Sequence, residues 1–202
     1  MTGPGVVRGR ELPRKTLHFS TAAIPVALWM GVPQRHVAAI LVALFGLACL
    51  VELARRRSAT LASHFDSTVG VMLRPHEAAN GITGATWLLA TFAITCLAAP
   101  LNAAIAATWA GAVGDGMATV AGRAWRRRYG GSGKTLAGSA VCAFAAAFGA
   151  WWLAAFTWPV AVGIGVIAAT VERPDVALDD NVRVTGVVAL AAALALALLQ
   201  RA

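Results

Sequence analysis

Apolar residues run along this chain in long blocks, with the polar residues gathered into short stretches between them. The blocks cover 17–32, 37–53, 82–98, 103–121, 136–158, 160–171 and 184–199. Most suit helices of about 17 to 25 residues, the length that crosses a bilayer, and the period-two alternation of a membrane barrel is absent. The pattern predicts an all-α, polytopic integral membrane protein: a bundle of six or seven transmembrane helices. The count turns on 160–171, a short block after Trp158-Pro159. It reads either as a half-helix or as a continuation of its neighbour through a proline kink. The stretch 58–81 is too polar to span but carries Leu61, Phe65, Val69, Met72 and Leu73 at helix-like spacing. It reads as an amphipathic helix in the interface or as a surface helix packed on the bundle.

Composition agrees with this picture. Of 202 residues, 58% are hydrophobic and 13% charged, outside the range of ordinary soluble domains. Positive charge then orients the bundle. With a cytoplasmic N-terminus, every one of the 17 basic residues except Arg35 and Arg201 falls on the inner side. The net charge of +8 therefore belongs to one face, which suits anionic lipid or a polyphosphate. Nucleic acid is excluded as a partner because no soluble domain is left to present a groove. A cleaved signal peptide is not expected, since the first apolar run contains Pro25 and leads directly into a second span. Cys49, Cys96 and Cys142 are isolated in apolar helices and read as packing residues. The strong excess of Arg over Lys and the abundant Ala suggest a high-GC bacterial source, hence a bacterial cytoplasmic membrane.

The acids are as one-sided as the bases: Glu11, Glu52, Asp66, Glu77, Asp115, Glu172, Asp175, Asp179 and Asp180 all fall at the inner ends of helices or in inner loops. Five polar clusters thus converge on one face: RKTLH (14–18), ELARRR (52–57), LRPHEAANGITGAT (73–86), the stretch 114–139 and ERPDVALDDN (172–181). A transporter more often sets its polar site at mid-membrane between broken helices. This distribution predicts an enzyme working at one membrane surface.

Within 114–139 the string GSGKT resembles the end of a Walker A loop, but G-x-x-x-x-G-K-[ST] requires glycine where Arg128 stands, and a buried strand upstream. The P-loop reading fails. The ingredients of phosphate binding remain: Gly130, Gly131 and Gly133 open the backbone, Lys134 supplies a cation, and Thr135 precedes a helix whose N-terminus favours anions. Residues 123–135 then form a cytoplasmic basic phosphate loop, in which Arg126, Arg127 and Arg128 also serve as lipid anchors. Upstream, Asp115 sits between glycines near or inside an apolar block. It either pairs with a base on a neighbouring helix or holds a divalent metal beside the phosphates.

These residues also match a family. GDGMATVAGR, a basic loop and GKTLAGS resemble the D-x-x-A-x-x-x-G … K-[ST]-x-x-G signature of the CTP-dependent polyprenol and lipid kinases, which include dolichol kinase, phytol kinase and the CTP-using diacylglycerol kinase. That family is related in turn to phosphatidate cytidylyltransferases. Asp115, Ala118, Gly122, Lys134, Thr135 and Gly138 fall on the signature. Arg14, Lys15 and His18 resemble its R-K-x-x-H; Glu52 and Arg55 its E-x-x-R; Arg74, Glu77, Gly81 and Gly84 another shared block; Glu172 to Asn181 its closing E-x7-D-D-N. Ala137, where dolichol kinases carry Glu, and the doubled acid of LDDN look closer to phytol kinases, while RAWRRRYGG has no evident counterpart.

The resemblance implies transfer of the terminal phosphoryl group of CTP, as its Mg2+ complex, to the primary hydroxyl of a membrane isoprenoid alcohol such as phytol, geranylgeraniol or a polyprenol. It implies catalytic roles for Asp115, Lys134, Asp180 and Glu77, with metal at Asp115 and Asp180. The nucleotide would be bound by Arg14, Lys15, His18, Arg74, Gly114, Gly122, Arg123, Gly133, Lys134, Thr135, Gly138 and Asn181. Bland readings stand beside these: His18 as an interfacial residue with a structural hydrogen bond, Asn181 as a helix N-cap, and Asp179 and Asp180 as acids favouring a helix dipole. The rival functions are a CTP-using diacylglycerol kinase, a cytidylyltransferase making a CDP-lipid, and a lipid transporter. The lipid alcohol, CTP and the bilayer are the expected partners, and a homodimer is open to such a bundle.

Overall fold

The computed structural model describes residues 14–73, 75–78, 81–174, 176 and 178–201. Among them every regular element is helical. In chain order these are α1 (14–20), α2 (Ala23–Trp29), α3 (Gln34–Arg57), α4 (Ala59–Val69), a 3-10 turn (Gly70–Met72), α5 (Pro75–Ala78), α6 (Gly84–Ala98), α7 (Leu101–Trp109), a π turn (Ala110–Gly114), α8 (Asp115–Tyr129), α9 (Leu136–Trp152), α10 (Trp158–Glu172) and α11 (Asp180–Leu199). Two of them, α3 and α11, are long and apolar enough to cross a membrane by length and composition.

Several boundaries differ from the expectation, each for a local reason. The first apolar block is not one helix. Thr21 turns its hydroxyl onto the carbonyl of His18 at 2.6 Å, competing with the helical ladder, and Pro25 then sits in the first turn of a new helix where its missing N–H costs little. Likewise 136–158 ends early: α9 stops at Trp152, the chain turns through Ala155 at φ 55°, and Pro159 enters the first turn of α10. The proline therefore starts a helix and kinks none. The stretch 103–121 extends in both directions, and the basic stretch from Arg123 to Arg128 is the last part of α8 and not loop. Arginine is a good helix former and its charge suits a helix C-terminus, so nothing in that string ends the helix before Gly130. The 58–81 stretch is broken into α4, the 3-10 turn and α5; α4 packs along α3, buries none of its residues and sets Phe65 under the Arg55 guanidinium at 5.3 Å.

The continuous rod α7–π–α8 is the centre of the bundle, with α2, α6, α9 and α11 packed around it; α10 closes against α9 and α11, and α3 lies against α6. Small residues make this closeness feasible. The core is mostly alanine, including Ala103, Ala104, Ala106, Ala107, Ala110, Ala112, Ala146 and Ala150, while Ile40, Leu50, Ile94, Leu97, Phe144, Leu190 and Leu194 point outward. Large apolar side chains on the outside and alanine within invert the usual arrangement of a water-soluble domain.

One buried polar network shapes the polar end. Arg55 Nε donates to Glu52 Oε2 at 2.7 Å, and its Nη atoms donate to the carbonyls of Glu77 and Gly81. Glu52 Oε1 in turn accepts from the amide of Thr83 at 2.9 Å. A pair on α3 thus fixes the segment that leads into α6. Removing one partner strands the other charge in a buried place. Arg55→Ala is expected to destabilise the fold by about 3 kcal/mol, read as a lowered melting temperature in detergent, with partial recovery in the double variant Glu52→Gln/Arg55→Met.

Candidate functional site

At one end of the bundle the helix termini enclose a cavity of about 560 Å³. Its charged lining is supplied by Arg14, Lys15 and His18 of α1, Asp115, Arg123 and Arg126 of α8, Lys134 before α9, Glu172 at the end of α10 and Asp180 at the start of α11. Apolar residues complete the lining: Leu17 of α1 and Ala85, Leu88 and Leu89 of α6. Four of the five polar clusters of the sequence therefore meet here. The fifth, at Glu52 and Arg55, lies outside the cavity and holds the segment before α6.

Lys134 is placed by the geometry around it. The loop before it turns on three glycines with positive φ, Gly130, Gly131 and Gly133, a conformation that side-chain-bearing residues rarely adopt. Arg126 reaches over from α8 to the carbonyl of Gly133. Thr135 then caps α9, its hydroxyl accepting from the amide of Gly138 at 3.1 Å. Gly138 must be glycine for packing: a Cβ there would stand 2.7 Å from the carbonyl oxygen of Ala118, so α9 and α8 touch backbone to backbone. That contact brings Lys134 across from Asp115. Its Nζ lies 3.1 Å from both Glu172 Oε1 and Asp180 Oδ1, and also meets the carbonyl of Glu172.

Asp115 is buried directly after the π turn, a feature frequent at functional sites. His18 Nε2 donates to the carbonyl of Gly111 at 3.0 Å and stands 3.7 Å from Asp115 Oδ2, so α1 is tied to the central rod beside the acid. Asp180 is shared between Lys134 and Arg183, whose guanidinium also donates to the carbonyls of Val171 at 2.7 Å and Leu178 at 3.1 Å. The N-cap of α11 is Asp179, accepting from the amide of Asn181 at 2.9 Å, so Asn181 is not the cap. It lies on the cavity wall.

Gly122, Arg123, Gly133, Thr135 and Gly138 line the cavity, as do Arg14 and Lys15. Two of the proposed site residues do not. Glu77 is buried beneath the start of α6, its Oε1 accepting from the amide of Gly84 at 2.8 Å, and Gly114 packs against Cys142 and Ala146 of α9. Arg74 lies outside the described residues. Conversely, Thr119 lines the cavity and Arg183 holds Asp180 without having been chosen from the sequence, while Arg126, expected in the basic loop and as a lipid anchor, and Glu172, expected only as the start of the closing motif, line it too. For Glu172 and Arg183 the spacing around Asp180 carried a signal: an acid eight residues before and a base three after.

Among the described residues no three His, Cys, Asp or Glu side chains come together as a metal cage. Asp115 and Asp180 nevertheless face one cavity, and Mg2+ is ordinarily held by one or two carboxylates plus substrate phosphates and waters. Hard carboxylate donors in that number fit such an ion. No protein-family model, curated protein or solved structure matches the chain.

Proposed function

We propose that this protein is an integral membrane lipid kinase that transfers the terminal phosphoryl group of CTP to the primary hydroxyl of an isoprenoid alcohol. The observation that carries the reading is the mixed lining of the cavity: cations and acids together with Leu17, Ala85, Leu88 and Leu89. Such a space suits an amphiphile whose polar end meets a polyphosphate. The choice of CTP and of an isoprenoid rests on the resemblance of the motifs. In this reading α3, α6, α7–α8, α9, α10 and α11 span the bilayer, with α1–α2 as the remaining candidate, and the cavity opens on the cytoplasmic face. The outward Leu, Ile and Phe side chains supply the lipid-facing surface.

Phosphoryl transfer asks mainly for positioning and charge neutralisation. Lys134, Arg123, Arg126, Arg14 and Lys15 bind and orient the phosphates. Asp115 and Asp180 would hold a divalent cation, which would supply charge neutralisation for the phosphates when bound. His18 orients the Asp115 region through its bond to Gly111. A cavity carboxylate, Asp115 or Asp180, takes the hydroxyl proton, since Glu77 is occupied at Gly84 and does not reach the cavity. The apolar lining keeps the alcohol's tail out of water.

The test is to supply CTP labelled at the γ or the α phosphorus to the purified protein with phytol, geranylgeraniol, polyprenols and diacylglycerol, and with the monophosphates of the same lipids. Extractable lipid carrying the γ label, with CDP released, is expected for an isoprenoid alcohol. The α label in lipid with pyrophosphate released would instead mark a cytidylyltransferase, and no turnover with any acceptor overturns the enzymatic reading.

A further inference from the structure

Several helices of the bundle are short for the bilayer they are read as crossing. α6 and α10 have 15 residues each and α9 has 17. At 1.5 Å per residue they span about 22 to 26 Å, less than the roughly 30 Å of a bilayer's hydrocarbon. Their ends away from the cavity carry the side chains that favour a headgroup boundary: Trp151, Trp152 and Trp158 pack ring against ring about the turn between α9 and α10, and all three are exposed. With that belt at one boundary, the opposite ends at Gly84, Thr135 and Glu172, which all line the cavity, stop short of the other boundary. Asp115, about 21 Å along the rod from Leu101, lies at the same depth. The base of the cavity is therefore recessed into the acyl-chain layer.

At that depth the outward-facing part of the lining must tolerate hydrocarbon. Leu17 is 55% exposed and Ala85 is exposed as well, although both line the cavity. Apolar side chains are what an opening toward acyl chains requires, since a charge there is costly. No path continues down the bundle axis instead: Phe92, one turn beyond Leu88 on α6, and Ala107 and Ala110 on the rod are fully buried. A volume of about 560 Å³ suits a nucleoside triphosphate and the head of an acceptor, not a long chain besides. Resting on the membrane and kinase reading for what is bound, we propose that the cavity has a second, lateral mouth between α1 and α6, at Leu17 and Ala85. The acceptor enters there from the cavity-side leaflet, and its hydrocarbon chain stays in the bilayer. The nucleotide enters from water by the glycine loop, where Gly133 is exposed and also lines the cavity. The protein thus reads the hydroxyl and the first carbons, beside Leu88 and Leu89, and is indifferent to the length of the chain.

The test places the full-length protein in phospholipid nanodiscs with phytanol carrying a diazirine a few carbons from its hydroxyl. Photolysis is expected to label Leu17, Ala85 and Leu88, and excess unlabelled phytanol to displace that label. Leu88 is decisive, because it lines the cavity yet is only 5% exposed and so is shielded from bulk lipid. With CTP, kcat/KM is expected to vary no more than about threefold from geranylgeraniol to long polyprenols, whereas an enclosed pocket discriminates by about tenfold for a single methylene. Leu17→Trp and Ala85→Trp add bulk at exposed positions. Each is expected to raise the KM for the alcohol about tenfold and to leave the KM for CTP unchanged, while Leu97→Trp, exposed on α6 away from the cavity, alters neither. Steep dependence on chain length, an unchanged KM for the alcohol in both cavity variants, or displaceable label confined to other helices overturns the lateral mouth even where transfer proceeds. Displaceable label at Leu17 and Leu88 in a protein that transfers no phosphate from CTP keeps the mouth and overturns the kinase reading.

Discussion

Lys134→Ala is expected to abolish phosphoryl transfer, lowering kcat/KM by about 10³-fold, while the protein still folds in detergent, with a lowered melting temperature because Glu172 is left buried without its cation. The size follows from position. Lys134 is fixed from three directions: by the positive-φ glycines behind it, by the Thr135 cap ahead of it, and by Glu172 and Asp180, each 3.1 Å from Nζ. Lys134 bridges those two acids, so the alanine variant leaves both facing the incoming phosphates, with Arg183 still beside Asp180. Loss of a phosphate cation and gain of like-charge repulsion act in the same direction. Arginine is not an equivalent substitute, because its planar fork does not reproduce one compact ammonium between two carboxylates. Transfer rates within a few-fold of the unmodified protein in Lys134→Ala would remove the lysine from the mechanism.

The second large effect is expected at Asp115, and here activity and stability part company. Asp115→Asn keeps the shape of the side chain but removes the charge, and transfer is expected to fall by about 10²- to 10³-fold. The same change removes a buried carboxylate that stands 3.7 Å from His18 Nε2. A buried charge is costly unless well paired, so the asparagine variant is expected to melt at a higher temperature than the unmodified protein. A variant both inactive and less stable would mean that Asp115 serves the fold through an ion pair; full activity would exclude it from chemistry altogether.

Much of the fold could be read from the sequence because apolar blocks report helices directly, and because a chain with so few charges makes each of them conspicuous. The residues that line the cavity were visible as clusters, since the chain returns to one end of the bundle after every second pass. What could not be read was orientation about each helix axis. Glu77 and Asp115 look alike as isolated acids near glycine, yet one turns inward to hold the amide of Gly84 and the other lines the cavity. Asn181 and Asp179 are both good caps, and only the backbone course decides that Asp179 performs that role. Helix ends were missed where side chains compete for the backbone, as Thr21 does, or where a string of arginines simply continues the helix.

The π turn from Ala110 to Gly114 has a consequence for how this bundle tolerates change. A widened turn holds one residue more than the regular ladder, and each residue advances a helix by about 100°. It therefore acts as a phase shifter in the central rod. It lets α7 keep its alanines toward α2 and α11 while α8 turns Asp115, Ala118 and Gly122 toward the cavity. Gain or loss of a single residue between 110 and 114 would rotate Asp115, Ala118 and Gly122 by about 100° relative to α7, even though none of the stretch's own residues lines the cavity.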